Sequence, residues 1–345
     1  MRAGRRRARD IRFLPCCALA RIEPPYATRT LGSCARGALG AIIFALLAIA
    51  ASVRTASASE FGISTYRPGL MDLYSGYLAP PGTLMVKNFF MFQDANERAI
   101  TSDGRIEARS HTVSYTNAVF IAYVTKFSVL GSYWGVGVIP LFRLSEQSLR
   151  VGPRGVRGPR QTSTLAGPGD FIFGPCLLGW NFGQFHLSTS LMFYAPTGSY
   201  DRQRIIDIGL NRWAFEPDVG LTWLDERTGR HASLFVGYTV NTENSSTHYL
   251  SGQEFHADFV LAQHLPGDWV LGMAGYAFQQ TTGDSGSGAL FGPFRGRVLA
   301  LGPLVGKTLR SAELPINFSL KYDVEFAAEN RSTGNELWFN AAFRF

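Results

Sequence analysis

Residues 316–326 read INFSLKYDVEF, and the order of those side chains decides the fold. Ile316, Phe318, Leu320, Tyr322, Val324 and Phe326 fall on one face of an extended chain; Asn317, Ser319, Lys321, Asp323 and Glu325 fall on the other. After a break over 327–333 the pattern resumes, with Leu337, Phe339, Ala341, Phe343 and Phe345 opposite Glu336, Trp338, Asn340, Ala342 and Arg344. Strict alternation over about ten residues marks a strand between two unlike environments. A soluble sheet alternates as well. What separates the two is that the chain stops on an aromatic residue inside a strand, with no polar tail. A sheet that closes on itself lays its last strand beside its first. The stretch therefore predicts the closing strand of an all-β fold, a transmembrane antiparallel β-barrel.

Working back from this strand, twelve alternating stretches are expected, at 84–93, 113–124, 133–142, 170–181, 184–195, 212–223, 231–241, 253–264, 269–280, 294–308, 315–327 and 335–345. Short turns at 181–184, 225–230 and 265–268 suit one side of a membrane. Polar, glycine-rich loops at 94–112, 143–169, 196–211, 242–252 and 281–293 suit the other. A basic residue facing lipid at mid-membrane costs roughly 2–4 kcal/mol, so the ionisable faces must point into the lumen. The six tryptophans, at 134, 180, 213, 223, 269 and 338, are expected near strand ends as an aromatic girdle. A soluble β-sandwich is the competing architecture; it predicts a polar terminus and fewer aromatics on the exposed face. About eight strands leave an interior filled by side chains and sixteen an open pore, so twelve implies a narrow passage.

The formal charge of +7 misleads. Ten arginines lie in residues 1–58 with only Asp10 and Glu23 against them, so 23 of the 33 basic and 24 of the 26 acidic residues remain, a net of −1. Nothing in that balance points to nucleic acid. Residues 1–58 read as a leader with a signal peptide. Arg36 precedes the apolar run 38–51 and the cleavage-type Ala56-Ser57-Ala58. The run is shorter than the roughly 20 residues of a spanning helix. Residues before about Leu31 read as an over-extended start, and Leu31-Gly32-Ser33-Cys34 only superficially resembles a lipid-attachment site. Cys16, Cys17 and Cys34 lie in the leader, leaving Cys176 without a disulfide partner. Residues 59–83, with Tyr66, Tyr74, Tyr77, Pro68-Gly69 and Pro80-Pro81-Gly82, do not alternate. They are expected to fold into the lumen as a plug or to lie at the periplasmic mouth; the barrel proper is 84–345.

Several residues carry chemistry. His186, Glu254, His256, Asp258, Lys321, Asp323, Glu325 and Arg344 are candidates for the lumen lining. Opposite charges there either stiffen the wall or set a field that selects solutes. Two His-x-Ser pairs, His186/Ser188 and His231/Ser233, place a histidine and a hydroxyl on one strand face, as a barrel hydrolase would. Neither strand supplies an evident third group, and polar lining is the simpler reading. Residues 150–160 (RVGPRGVRGPR) hold four arginines that could grip lipopolysaccharide phosphates, or form a solvated loop. GDSGSG at 283–288 lacks the context of a phosphate loop and reads as a mobile external loop. No metal spacing and no cofactor motif is evident.

The run Ala195-Pro196-Thr197-Gly198-Ser199-Tyr200-Asp201, followed by Gly209, Asn211, Trp213 and Pro217, carries a family likeness. It continues through Asn241, Asn244, Thr247, Tyr249, Ser251 and Gly252 to Gly275-Tyr276, Gln279, Asp284 and Gly302-Pro303, and takes in Pro68-Gly69-Leu70-Met71-Asp72. In these residues the chain resembles the outer-membrane transporters of the phenol meta-cleavage pathway, the MetA-pathway of phenol degradation family. The resemblance implies a barrel in the outer membrane of a Gram-negative cell and passive uptake of small hydrophobic or aromatic compounds. A looser resemblance to long-chain fatty-acid transporters rests on barrel class and the N-terminal segment. Expected partners are outer-membrane lipid and lipopolysaccharide, the solute, and the barrel-assembly machinery through Phe345. A barrel hydrolase of the phospholipase kind and a non-transporting structural barrel are the alternatives.

Overall fold

A computed structural model describes residues 63–101, 103–289, 292–310 and 314–345. The leader, the signal peptide and the first four residues of the expected plug lie outside these. The described chain forms an all-β barrel of twelve antiparallel strands. They are β1 (Leu84–Ile100), β2 (Ile106–Val129), β3 (Ser132–Ile139 and Leu141–Pro153), β4 (Arg160–Pro168 and Phe171–Phe182), β5 (Phe185–Ala195) and β6 (Ala214–Asp225). The second half is β7 (Arg230–Asn241), β8 (Glu254–Leu265), β9 (Trp269–Gln280), β10 (Arg297–Leu309), β11 (Ile316–Glu329) and β12 (Thr333–Arg344). Each strand pairs with its neighbour in sequence, and β1 pairs with both β2 and β12: Phe90 lies opposite Asn117 on one side and Phe339 on the other. Leu84 and Phe345 exchange both backbone hydrogen bonds, at 3.0 and 2.9 Å. Where the ladder closes it leaves no edge, which is how a sheet satisfies its backbone groups in lipid; the Arg160–Pro168 part of β4 pairs on one side only.

The alternation in β11 separates two environments cleanly. Leu320, Tyr322, Val324 and Phe326 are 41–48% exposed on the outside, while Lys321 and Asp323 are at most 1% exposed inside. Pro140 has no N–H to give, and it divides β3; β4 breaks beside it at 169–170, where the Gly169 N–H finds the Leu141 carbonyl at 3.0 Å.

Two of the five expected long loops are not loops. Most of 94–112 and 143–169 continues the ladder as β1, β2, β3 and β4, joined by short turns around 101–105 and 154–159. The strands rise past the apolar band, so Asp94, Asn96 and Arg98 replace Phe90 and Phe92 on the outer face. With polar residues outside as well as inside, the apolar–polar alternation that signals a strand disappears while its hydrogen bonds continue. Trp338 also departs from expectation: it is 2% exposed, on the inner face of β12, and belongs to no girdle. Trp134, Trp180, Trp213, Trp223 and Trp269 do stand near strand ends on more accessible surface.

Candidate functional site: the barrel lumen

The interior has two unlike halves. On the β6–β8 and β10–β12 side it is charged, and residues 63–83 are hydrogen-bonded to it. The Asp258 carboxylate on β8 accepts the Tyr66 hydroxyl at 2.5 Å and the Gly69 and Met71 N–H groups at 3.1 and 3.0 Å. Glu254, one turn of the pleat away, takes the Thr65 N–H at 3.1 Å and the Asn241 amide at 3.2 Å. Between them His256 stacks on the Tyr66 ring with centroids 3.5 Å apart, and its Nε2 is 3.4 Å from Glu216. On β11, Lys321 donates to the Gly69 carbonyl, pairs with Asp323 at 3.2 Å and sits over the Trp338 ring. Glu325 takes the Tyr276 hydroxyl at 2.7 Å. Arg67 pairs with Glu336, and Asp72 with Lys87; the Asn340 amide reaches Asp72 at 2.8 Å.

The fit is close enough to dictate glycines. At Gly220 on β6 a Cβ would stand 2.2 Å from the Ser75 carbonyl oxygen. Gly69 has φ +85°, and a Cβ there would meet the Tyr276 ring at 2.9 Å. Any larger residue at either place pushes the segment off the wall.

The other half, β1 to β5 with Trp338 of β12 beside them, carries an apolar patch. Phe89, Met91, Ile139, Leu177, Met192 and Trp338 form a buried cluster against which Leu70 and Tyr77 pack. These side chains line a cavity of about 560 Å³ between the wall and residues 63–83. That lies within the roughly 300–1,000 Å³ of small-molecule sites. Gln93, Gln147 and Arg143 add polar groups to the lining, with Arg143 donating to Thr116 at 3.1 Å.

At the narrow-turn end, His186 and Arg344 also line the cavity, each against Tyr77: His186 edge-on at 5.1 Å, and the exposed Arg344 guanidinium 5.6 Å above the ring. His186 bonds Asn181 at 2.6 Å and not Ser188, whose hydroxyl donates to the Ser75 carbonyl at 3.1 Å. His231 does reach Ser233, at 2.8 Å, and its other nitrogen lies 3.1 Å from His264. The Ser233 hydroxyl is shared with Thr222 at 2.8 Å and is buried, and the Tyr74 ring stands edge-on against His231. Among the described residues no three His, Cys, Asp or Glu side chains are placed to hold a metal ion.

The family-motif residues between 196 and 252, with Asp284, gather at the opposite rim, whereas Gly69, Asp72 and Tyr276 of the same set lie in the lumenal network. Gly198 N–H and Leu210 N–H close on the Asp170 carboxylate at 2.9 and 2.7 Å, and Thr197 takes the Phe171 N–H at 2.9 Å. Asn211 bonds Asn244 at 2.8 Å, and Asn244 bonds the Tyr200 hydroxyl at 3.0 Å. Asp284 accepts Tyr249 and Gly252 at 2.6 and 2.9 Å, which ties 283–288 to the neighbouring loop where a free, mobile loop is expected from sequence. Among the described residues Asp201 contacts its own loop: its N–H donates to Asp207 at 2.9 Å and its carboxylate accepts the Gln203 N–H at 3.0 Å. Trp213 and Pro217 face outward, beyond reach of the lumen. These residues hold loops together at the rim, whereas Asn241 alone of the set bonds both the Glu254 carboxylate and the N-terminal segment, through Thr65 at 2.7 Å.

Sequence reasoning passed over Tyr66, Arg67, Asp72, Glu216 and Glu336 as site residues. Glu216 and Glu336 alternate with apolar neighbours and were within reach of a period-two reading. Arg67 and Asp72 lie in a segment without periodicity, where no local pattern says which way a side chain points.

A closed antiparallel barrel with an apolar outside and a charged, partly filled inside defines an outer-membrane β-barrel. The chain belongs to the family described as "Putative MetA-pathway of phenol degradation", whose model matches residues 95–341. Among solved structures it is similar to the COG4313 outer membrane channel from Pseudomonas putida F1, with a TM-score of 0.57 and 14% identity over 80% of this chain and 100% of that one. A FadL homologue from Pseudomonas aeruginosa aligns over 85% of this chain and 98% of its own, at 10% identity and a TM-score of 0.39. The TodX monoaromatic hydrocarbon channel mutant covers 77% and 89%, at 10% identity and 0.35. At such identities the first likeness speaks to fold, and nothing rests on the other two. No curated protein sequence matches the chain.

Proposed function

We propose that this barrel is a passive outer-membrane channel for small hydrophobic or aromatic compounds, with residues 63–83 as its plug. The observation that carries the reading is the cavity of about 560 Å³, apolar on its β1–β5 side and inside a wall whose polar half is already occupied. The patch of Phe89, Met91, Leu177 and Trp338 packs in part against Leu70, Tyr77 and Leu78 of the segment, and the cavity it also borders is the space we assign to a guest. The Pseudomonas putida neighbour is a channel, and the family is named for phenol degradation, which supports the same solute class. Binding must stay weak enough for release, as successive contacts with aromatic and polar groups allow. Phe345, hydrogen-bonded into the closing strand pair, is the residue we take the barrel-assembly machinery to read.

The test is flux into liposomes carrying the folded barrel, across a panel of phenols, alkanes and fatty acids. Entry of phenols well above protein-free liposomes is expected; flux at the protein-free level for the whole panel overturns the reading. The 2.8 Å contact between His231 and Ser233 favours a second reading, a lumenal hydrolase. Ester hydrolysis that disappears in S233A while solute flux persists would establish it.

A further inference from the structure

The strands that extend above the membrane carry an arrangement the sequence does not display. Arg98 on β1 lies directly opposite Arg109 on β2, Arg109 opposite Arg150 on β3, and Arg150 opposite Arg160 on β4. Directly paired residues share a face, so the four side chains form one row across four adjacent strands. At roughly 4.8 Å between strands the row is about 14 Å wide. It lies on the outer face: two residues at a time down each strand, the same registers lead through Asn96, His111, Ser148 and Thr162, then Asp94, Val113, Glu146 and Thr164, to the apolar row Phe92, Tyr115, Leu144 and Ala166. Six residues of strand span about 20 Å, or about 15 Å of height at the usual tilt.

Like charges directly opposed across strands are destabilising. Among the described residues only Glu107 pairs with them, accepting Arg98 Nε at 2.6 Å and Arg109 Nε at 2.5 Å. Arg150 donates to the Gly158 carbonyl at 3.1 Å, and Arg160 is exposed and in no ion pair among the described residues. The turns beside the row add exposed Arg105, Arg154 and Arg157, against Asp103. A surface so built is completed by an external polyanion.

We propose that this row binds the phosphate groups of lipopolysaccharide in the outer leaflet. The row faces sideways, away from the lumen, above the lipid-facing band and at the height of a phosphorylated core. Guanidinium forks pair with phosphate oxygens two at a time, which a lysine cannot reproduce. The site depends on the barrel standing in the membrane and not on what passes through it, so a failed flux assay leaves it intact.

The experiment immobilises the folded full barrel in detergent and measures binding of purified lipopolysaccharide retaining its phosphorylated core, of the same material dephosphorylated with hydrofluoric acid, and of inorganic phosphate. R150Q/R160Q leaves the Glu107 pairs in place, and heat-modifiable mobility on gels reports folding; R150K/R160K is the second variant should the first not fold. Binding of the phosphorylated form, weakened about tenfold or more by dephosphorylation and by R150Q/R160Q, is expected. With R150K/R160K, loss of at least part of that affinity is expected, since the fork is gone. Equal binding of both lipopolysaccharides, unchanged affinity in the folded variants, or full displacement by millimolar inorganic phosphate overturns the proposal.

Discussion

Replacing Asp258 by alanine should release the N-terminal segment from the wall. Its carboxylate receives three hydrogen bonds, from the Tyr66 hydroxyl and the Gly69 and Met71 amides, all from the stretch 66–71 of the segment. Hydrogen bonds to a charged group contribute a net of about 1.5–3 kcal/mol each. Taking the lower figure, about 4.5 kcal/mol is lost, which shifts the equilibrium between docked and released forms by about a thousandfold. Other ties, among them Arg67 to Glu336, Asp72 to Lys87, Lys321 to the Gly69 carbonyl and the Thr65 N–H to Glu254, keep the segment from leaving altogether. Hydrogen exchange read by mass spectrometry on peptides covering 63–83 measures the docking, and conductance in planar bilayers measures its consequence. Protection should fall by about three orders of magnitude while peptides from β8 and β11 stay protected. Protection within tenfold of the parent, in a barrel that still runs as folded, refutes the anchoring role of Asp258. Lost protection with unchanged conductance leaves the anchor in place and refutes the plug.

Ala118 on the inner face of β2 lines the cavity, and A118F should cut phenol flux severalfold while destabilising the barrel by no more than about 3 kcal/mol; undiminished flux would place the passage elsewhere. In the β9-side turn, the Arg310 guanidinium beside Asp268 (2.7 Å) holds that carboxyl below the usual range. A depressed folded pKa means its contribution is present above the ordinary carboxylate pKa of about 3.9 and is lost as pH falls through the folded value. Amide protection in that turn, corrected for intrinsic exchange rates, should therefore drop in strong acid in the parent and stay flat in D268N.

How much of this was legible depends on where period-two alternation survives. Within the membrane one face meets lipid and the other the lumen, so strands such as β11 and β12 announce themselves residue by residue. Above the apolar band the same ladder runs on with polar Asp94, Asn96 and Arg98 on its outer face, and it reads as loop. The inner-face positions Glu254, His256, Asp258, Lys321, Asp323 and Glu325 were nameable because alternation fixes direction. Which of them meet was not, because pairing across strands depends on register: Arg98, Arg109, Arg150 and Arg160 are scattered over 63 residues and meet only through three ladders. Trp338 shows the opposite failure. Tryptophan composition near a chain end suggests a girdle, yet its parity with Glu336 and Asn340 sends it inside.

The charged half of the lumen bears on how selection would work. A field that screens solutes needs charges whose counter-charges are distant, whereas here Lys321 meets Asp323 and the Gly69 carbonyl, Arg67 meets Glu336, and Lys87 meets Asp72. Each pair is satisfied internally, and two of the three pairs join the wall to residues 63–83. Charges spent in this way hold a segment in place and are not free to screen solutes, while Glu97, Arg143 and Asp218, outside these pairs, also line the cavity. A solute in that space instead meets Phe89, Met91, Leu177, Met192 and Trp338 on one side and the apolar flank of the segment, Leu70 and Tyr77, on the other. Discrimination then follows size and apolar contact, with Gln93, Gln147 and Arg143 offering a hydrogen bond to a hydroxylated ring. Releasing the segment uncovers the charged half as well, so an opened barrel should admit ions that the docked one excludes.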